Sequence, residues 1–183
     1  MSSWYDSQLK NKNYLSPIGF LFILEKARKV SFLCQSAEIP TMSISEIVVP
    51  TPGFVQLPLP DGQATFANLE LQFIVDENLE NYMKIHNWLT GLGYPETTQQ
   101  YKDLTTDGDG VRDPKEAFSD GNLHILNSNY RDIAIVKFND LFPVFLTPLE
   151  FTATETDINY FTAEVTFKYT VYNVVAADGR TPL

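Results

Sequence analysis

The chain has 183 residues, 13 basic against 23 acidic side chains and a formal net charge of −10, a length that suits one domain with a substantial core. That balance excludes a protein that grips nucleic acid, because phosphate binding needs clustered cations, and the densest basic run, Lys26, Arg28 and Lys29, is short and interrupted by Ala27. The single cysteine, Cys34, excludes an internal disulfide and, beside Phe32 and Leu33, reads as a buried, inert thiol.

Residues 1–14 read as a polar arm; its first 13 residues lack the basic start, apolar run and cleavage site of a signal peptide. The longest apolar run, 19–24, is too short to cross a bilayer. The expectation is a soluble protein that matures in the cytoplasm and has no membrane partner. Residues 18–24 and 30–34 read as two strands around a charged turn, with Pro40 closing the second, and 43–49 reads as a third.

Residues 50–67 are unusual. Pro50, Pro52, Pro58 and Pro60 punctuate Phe54, Val55, Leu57 and Leu59. Proline cannot donate to a ladder, so this is not a central strand. Asp61-Gly62 signals a tight turn. The stretch reads as an extended arm or hairpin, whose apolar side chains either contact another subunit or fold back on their own core. In the first case Phe54, Val55, Leu57 and Leu59 are the interface residues.

In 69–75 apolar residues alternate with polar ones, which is a strand. The period then changes: Leu79, Tyr82, Ile85, Trp88, Leu89 and Leu92 make one stripe of a helix over 76–92. Asp76 is the expected N-cap, and Glu77 and Glu80 suit the positive end of the helix dipole. Gly91 and Gly93 permit the left-handed exit, and Pro95 ends the element. Residues 96–104 read as a short second helix and 105–120 as a polar loop.

The chain then returns to strands. Residues 123–126 and 133–138 flank a turn at 127–129, Pro143 and Pro148 bracket an apolar piece at 144–146, and 149–153 alternate. Over 161–171 Phe161, Ala163, Val165, Phe167, Tyr169 and Val171 face one way, against threonine, glutamate and lysine. A polar tail occupies 176–183. Seven or eight strands with one main helix predict a mainly β fold over 15–175, an antiparallel sandwich or barrel with a packed helix and an extended hairpin arm.

No constellation points to catalysis. His86 and His124 are the only histidines, and each reads as structural. No serine has glycine-flanked nucleophile spacing, and there is no P-loop. One motif does carry chemistry: 105–116 reads TTDGDGVRDPKE, which resembles a calcium loop with Asp107, Asp109, Asp113 and Glu116 as donors and Gly110 at the sharp turn. Thr105 stands where the first aspartate belongs, and DGDG is also a common solvated turn. No cofactor is required by this reading; calcium is the one candidate.

Four phrases occur in order: FLFIL with KVSFLCQSAEIP and a strand ending IVVP; PTPGFVQLPLPDG; NLELQFIVDENLENYMKIHNWL; and FNDLFPVFLTPLEFTATETDINYFTAEVTFKYTVYNV. Together they resemble the tail tube proteins of contractile-tailed bacteriophages and the wider tube family of contractile secretion and injection systems. The resemblance implies hexameric rings that stack into a hollow cylinder, with a continuous β-barrel lumen and arms that overlap the adjacent ring. It implies as partners further copies of the chain, the tail sheath, and baseplate or neck proteins. DNA would pass through without specific binding. The location implied is the virion tail, assembled in the host cytoplasm, and the role is not enzymatic.

Two alternatives stand beside this expectation. One is a specialised tube-like ring at the baseplate or neck. The other, from a different class, is a calcium-stabilised carbohydrate-binding β module that uses Trp4, Tyr5, Tyr94 and Tyr101 as stacking aromatics.

Overall fold

The computed structural model describes residues 15–27, 34–50, 53, 56–106, 111–152 and 160–182. The elements are β1 (Phe20–Leu24), β2 (Cys34–Ala37), β3 (Met42–Val49), β4 (Leu57–Phe66), β5 (Leu69–Ile74), α1 (Glu80–Gly93), α2 (Thr98–Thr105), a 3-10 turn at Pro114–Ala117, β6 (Ser119–Leu126), β7 (Asp132–Leu146), β8 (Thr162–Lys168) and β9 (Val171–Ala176). The N-terminal arm and the strand expected at 30–34 lie outside the described residues, except for Cys34.

Seven strands form one antiparallel array in the order β1-β6-β7-β8-β5-β2, with β9 added to β7. The strand β7 belongs to both ends of it. Its first half pairs with β6 and β9, and its second half, from Phe142, pairs with β8. The two halves of the array enclose a single apolar cluster. Phe22, Leu24, Leu123, Val136 and Phe138 come from one side, and Leu69, Leu71, Phe73, Ala163, Val165 and Phe167 from the other. Among the described residues β1 and β2, the ends of the path, are not paired with each other, so the sandwich alternative holds for the single chain and a closed barrel does not.

Alternation decides the faces. In β5 and β8 every second side chain is buried, and Ala163, Val165 and Phe167 are fully so. Helix α1 lies on this core through Ile85 and Trp88, whose ring is 6.0 Å from that of Phe167. Trp88 Nε1–H donates to the Ala117 carbonyl (2.8 Å), and Tyr82 donates to the Thr147 carbonyl (3.1 Å). Cys34, expected to be buried, is half-buried, and burial pushes its thiol up to about 11, which disfavours the reactive thiolate.

Several local expectations are corrected. The helix starts at Glu80, not at Asp76, because residues 76–79 make a turn closed by Leu79 N–H to the Asp76 carbonyl (3.0 Å). The junction is organised by Asn81, which is fully buried. Its amide donates to the Ile74 carbonyl (2.7 Å), and its Oδ1 accepts from the N–H groups of Asp76 (3.2 Å) and Tyr82 (2.8 Å). At the other end Tyr94, not a glycine, takes the left-handed position (φ 33°) and donates to the Thr90 carbonyl. Gly91 serves packing instead, since a Cβ there would sit 3.0 Å from Leu104.

The strand expected over 161–171 divides at 169–170: β8 pairs with β5 and the second half of β7, whereas β9 pairs with the first half of β7. The pieces expected at 133–138 and 144–146 are one strand, which passes Asp140 at φ 56° and shifts register between Pro143 and Phe145. The tail beyond β9 is a built turn: Asp178 accepts from the N–H groups of Arg180 and Thr181, and Pro182 bridges to Val175. Gly121 faces the bend in β7, where an added Cβ would overlap Leu141 Cδ1 and approach Phe22 Cζ to 3.2 Å. Overpacking of this kind costs about 1–3 kcal/mol. Gly121→Ala is therefore expected to lower the urea midpoint without changing the m-value, which equilibrium unfolding checks.

Candidate functional site

The candidate site is the ribbon made by β3 and β4, a separate two-stranded sheet. The arm read from sequence is thus longer than 50–67, because β3 is its second strand. Ile47 lies opposite Leu59, Val49 opposite Leu57, Val48 opposite Pro58 and Glu46 opposite Pro60. Asp61-Gly62 is not the hairpin turn. It lies inside β4, where residues 61–63 face Ser45 alone, and Gly62 takes φ 81° to absorb the extra length. A glycine suits that left-handed bulge position as well as it suits a turn.

Directly opposed residues share a face, so Ile47, Val49, Leu57 and Leu59 form one apolar patch. Met42, Ile44 and Val48 fall on the opposite face. These seven side chains are between 36% and 57% exposed. A ribbon embedded in its own core would have one buried face, and among the described residues this one has none. The expected interface residues Leu57 and Leu59 are therefore placed at an open apolar surface; Phe54 and Val55 lie outside the described residues.

The second notable surface is the outer face of the β2-β5-β8 sheet. A shallow depression of about 300 Å³ there is lined by Glu38, Glu70 and Glu164, with Gln72, Thr166 and Phe145 among them. Lys168 is the one basic residue of β8.

The loop after α2 is closed by a bridge between Thr106 and Arg112 and by Asp113 N–H to the Thr105 carbonyl (2.8 Å). Thr105 is fully buried, and its hydroxyl donates to the Tyr101 carbonyl (2.8 Å). Asp113 accepts from Lys115 N–H (2.9 Å) and caps the 3-10 turn. Glu116 uses its carbonyl to accept from Lys26 Nζ, whose aliphatic stem brings the ammonium over the Trp88 ring. Burial lowers the Lys26 pKa, and the Glu116 carboxylate opposes that. Asp107 and Asp109 lie outside the described residues. Among the described residues no group of three or more His, Cys, Asp or Glu side chains gathers to hold a metal.

Tyr94 and Tyr101 meet edge to face at 6.1 Å, and Arg112 covers the Tyr101 ring at 5.9 Å. Tyr94 is about half exposed at this corner, and Trp4 and Tyr5 lie outside the described residues. His124 Nδ1 is 3.2 Å from Asp132 Oδ1, beside the Asn127 turn. No described helix is long and apolar enough to cross a membrane.

Sequence reasoning missed Asn81, and it missed the hydroxyls of Tyr169 and Tyr172. Tyr169 stood only as a member of an alternating run and Asn81 and Tyr172 carried no local signal, so only the tertiary partner distinguishes them.

A family model described as phage tail tube protein matches residues 8–175. No curated protein sequence matches the chain. Among solved structures, a chain of the anti-feeding prophage baseplate superposes with a TM-score of 0.61 at 11% identity, over 91% of this chain and 98% of that one. A chain of the anti-feeding prophage tube-terminating cap gives 0.61 at 13% identity, over 96% and 99%. One from the sheath–tube complex of an extracellular contractile injection system, in its extended state, gives 0.57 at 16% identity, over 90% and 93%. At these identities the likeness is one of fold.

Because the hairpin residues are open to solvent, they contribute little to the fold of the single chain. Replacing Ile47, Val49, Leu57 and Leu59 with serine is expected to leave the unfolding midpoint of the rest of the protein nearly unchanged, with each site within about 0.5 kcal/mol. Chemical denaturation followed through Trp88 fluorescence measures this.

Proposed function

The chain belongs to the phage tail tube protein family, and from that premise we propose that it is a structural subunit that assembles with copies of itself into rings, hexameric by the family's pattern, which stack as the inner tube of a contractile tail. The observation that carries the proposal is the ribbon with half-exposed apolar side chains on both faces, neither of them buried among the described residues. A hairpin of two strands is marginal alone. Its side chains gain free energy only when another surface covers them.

The magnitudes favour a closed assembly over a simple pair. Completing the burial of seven half-exposed apolar side chains is worth about 1 kcal/mol each. Association costs on the order of 4–15 kcal/mol in lost freedom. One ribbon contact is therefore marginal, whereas a subunit held on two sides in a ring, and again by the next ring, gains several such contacts. Further copies, the sheath and the baseplate or neck proteins are the proposed partners, and the virion tail, assembled in the host cytoplasm, is the proposed location.

We propose that the channel passes DNA without binding it. The net charge of −10 and the carboxylates of Glu38, Glu70 and Glu164 on one outer sheet face support that reading, because like charge keeps phosphates off the wall. The continuous β-barrel lumen belongs to this proposal; the single chain's array is open. No catalytic role enters the proposal. A second reading has a specific observation behind it: the fold is shared with chains of a baseplate and of a tube-terminating cap, so a specialised ring at one end of the tube is the alternative position.

Asp107, Asp109, Asp113 and Glu116 stay as proposed calcium donors that would stiffen the loop, with Asp113 offering its second oxygen. Thr105, buried and bonded to α2, does not fit as a donor.

Negative-stain electron microscopy with mass measurement tests the assembly. Hollow rings or stacked tubes are expected from the native chain, and the four-serine hairpin variant should remain a folded monomer. Normal tubes from that variant would remove the hairpin from the interface. The calcium proposal predicts a melting temperature that falls on adding chelator and recovers on adding calcium; an unmoved midpoint sinks it.

A further inference from the structure

The ribbon meets the body at one place. Ala67 N–H donates to the Thr41 carbonyl (2.9 Å) and closes the base where β3 begins and β4 ends. Two tyrosine hydroxyls grip the two chains entering that base. Tyr169 donates to the Ala67 carbonyl (2.8 Å), and Tyr172 donates to the Pro40 carbonyl (3.3 Å). The two tyrosines flank the break between β8 and β9, so they come from one corner and reach opposite sides of the ribbon.

Phe66, the last residue of β4, lies against both of them. Its ring is 6.2 Å from Tyr169 and, edge to face, 5.4 Å from Tyr172. Beneath them is Phe138 of β7, fully buried, at 5.2 Å from Tyr169 and 5.8 Å from Tyr172. Edge-to-face rings have preferred angles, and aromatic pairs add stabilisation beyond their area. Hydroxyls that donate to backbone carbonyls give the cluster direction as well as contact. Burial, and then the neighbouring Tyr172, push the Tyr169 phenol up to about 12.

We propose that Phe66, Phe138, Tyr169 and Tyr172 form a mount that fixes the direction in which the β3–β4 ribbon leaves the body, and that Tyr169 and Tyr172 are positioning residues for assembly. The role in assembly rests on the reading of the ribbon as the subunit-binding arm; the fixing of direction does not. A ribbon free to swing would present its apolar faces at many angles, and each angle lost on docking would cost entropy. A fixed ribbon meets its neighbour already oriented.

The test is a distance distribution. Spin labels at Glu46→Cys on the ribbon and Glu77→Cys on the body, in a Cys34→Ala background, are read by double electron–electron resonance. Tyr169→Phe/Tyr172→Phe keeps both rings and removes only the two oxygens. The parent should give one narrow distance, and the double variant a clearly broadened one, with amide exchange in β5 and β8 unchanged. Assembly of the unlabelled double variant should need a several-fold higher protein concentration. An unchanged distance distribution overturns the mount. If the double variant loses protection in β5 or β8, the two single variants are read by the same criterion. Should the four-serine ribbon variant form normal tubes, the arm reading falls while the label distances still judge the mount.

Discussion

The structure depends on one strand that must belong to two sheets. β7 pairs with β9 as far as Asn139, with β6 as far as Leu141 and with β8 from Phe142. A straight ladder cannot do this. The chain takes Asp140 into the left-handed region, where its N–H is held by Asp120 Oδ1 (3.3 Å), and the Asn139 carbonyl accepts from Thr170 N–H (3.0 Å). That second bond sits at the break between β8 and β9, so the bend in one strand and the interruption of its neighbour are a matched pair. Gly121 leaves room for Leu141 to turn inward beside it. Phe138 ends the first half of the strand and forms the floor on which the tyrosines rest. Core, corner and ribbon base all refer back to this bend.

From there the physics divides the molecule into a body that is finished and a ribbon that is not. Fully buried Phe22, Phe73, Phe138 and Phe167 and the helix carrying Trp88 complete the core from within one chain. Beyond its base at Phe66, the described ribbon has its cross-strand pairs. Such a division lets the body fold alone, since it does not depend on a neighbour for its apolar cover. The apolar surface left open stands apart from the core.

The body was legible in the sequence where periodicity alone decides the outcome. The alternation in 69–75 and 161–167 and the stripe from Leu79 to Leu92 appear as β5, β8 and α1, and the family resemblance is matched by a family model over 8–175. What was not legible depended on partners. Alternation continues through Tyr169 and Val171, so nothing local announces that β9 pairs elsewhere. Asp61-Gly62 is a turn signal wherever it occurs, and only the position of Ser45 across the ladder makes it a bulge. Asp76 satisfied the rules of a helix cap, but the buried Asn81 amide took the β5–α1 junction. Thr105, expected to open the acidic loop, ends α2 with its hydroxyl bonded back to the Tyr101 carbonyl, which sequence spacing could not reveal.

The prolines of β4 have a further consequence. Pro58 and Pro60 lie two apart and so turn the same edge, and Leu57 and Leu59 alternate with them. A proline tolerated in a strand has its missing donor on the side away from the partner. The outer edge of β4 is therefore without N–H groups at two successive positions. Strands of other chains cannot extend an uninterrupted ladder there, and amyloid-like stacking needs one. An apolar ribbon in water is an aggregation hazard by composition. This edge admits partners through side-chain packing and refuses those that would add by backbone, which separates ordered growth from precipitation.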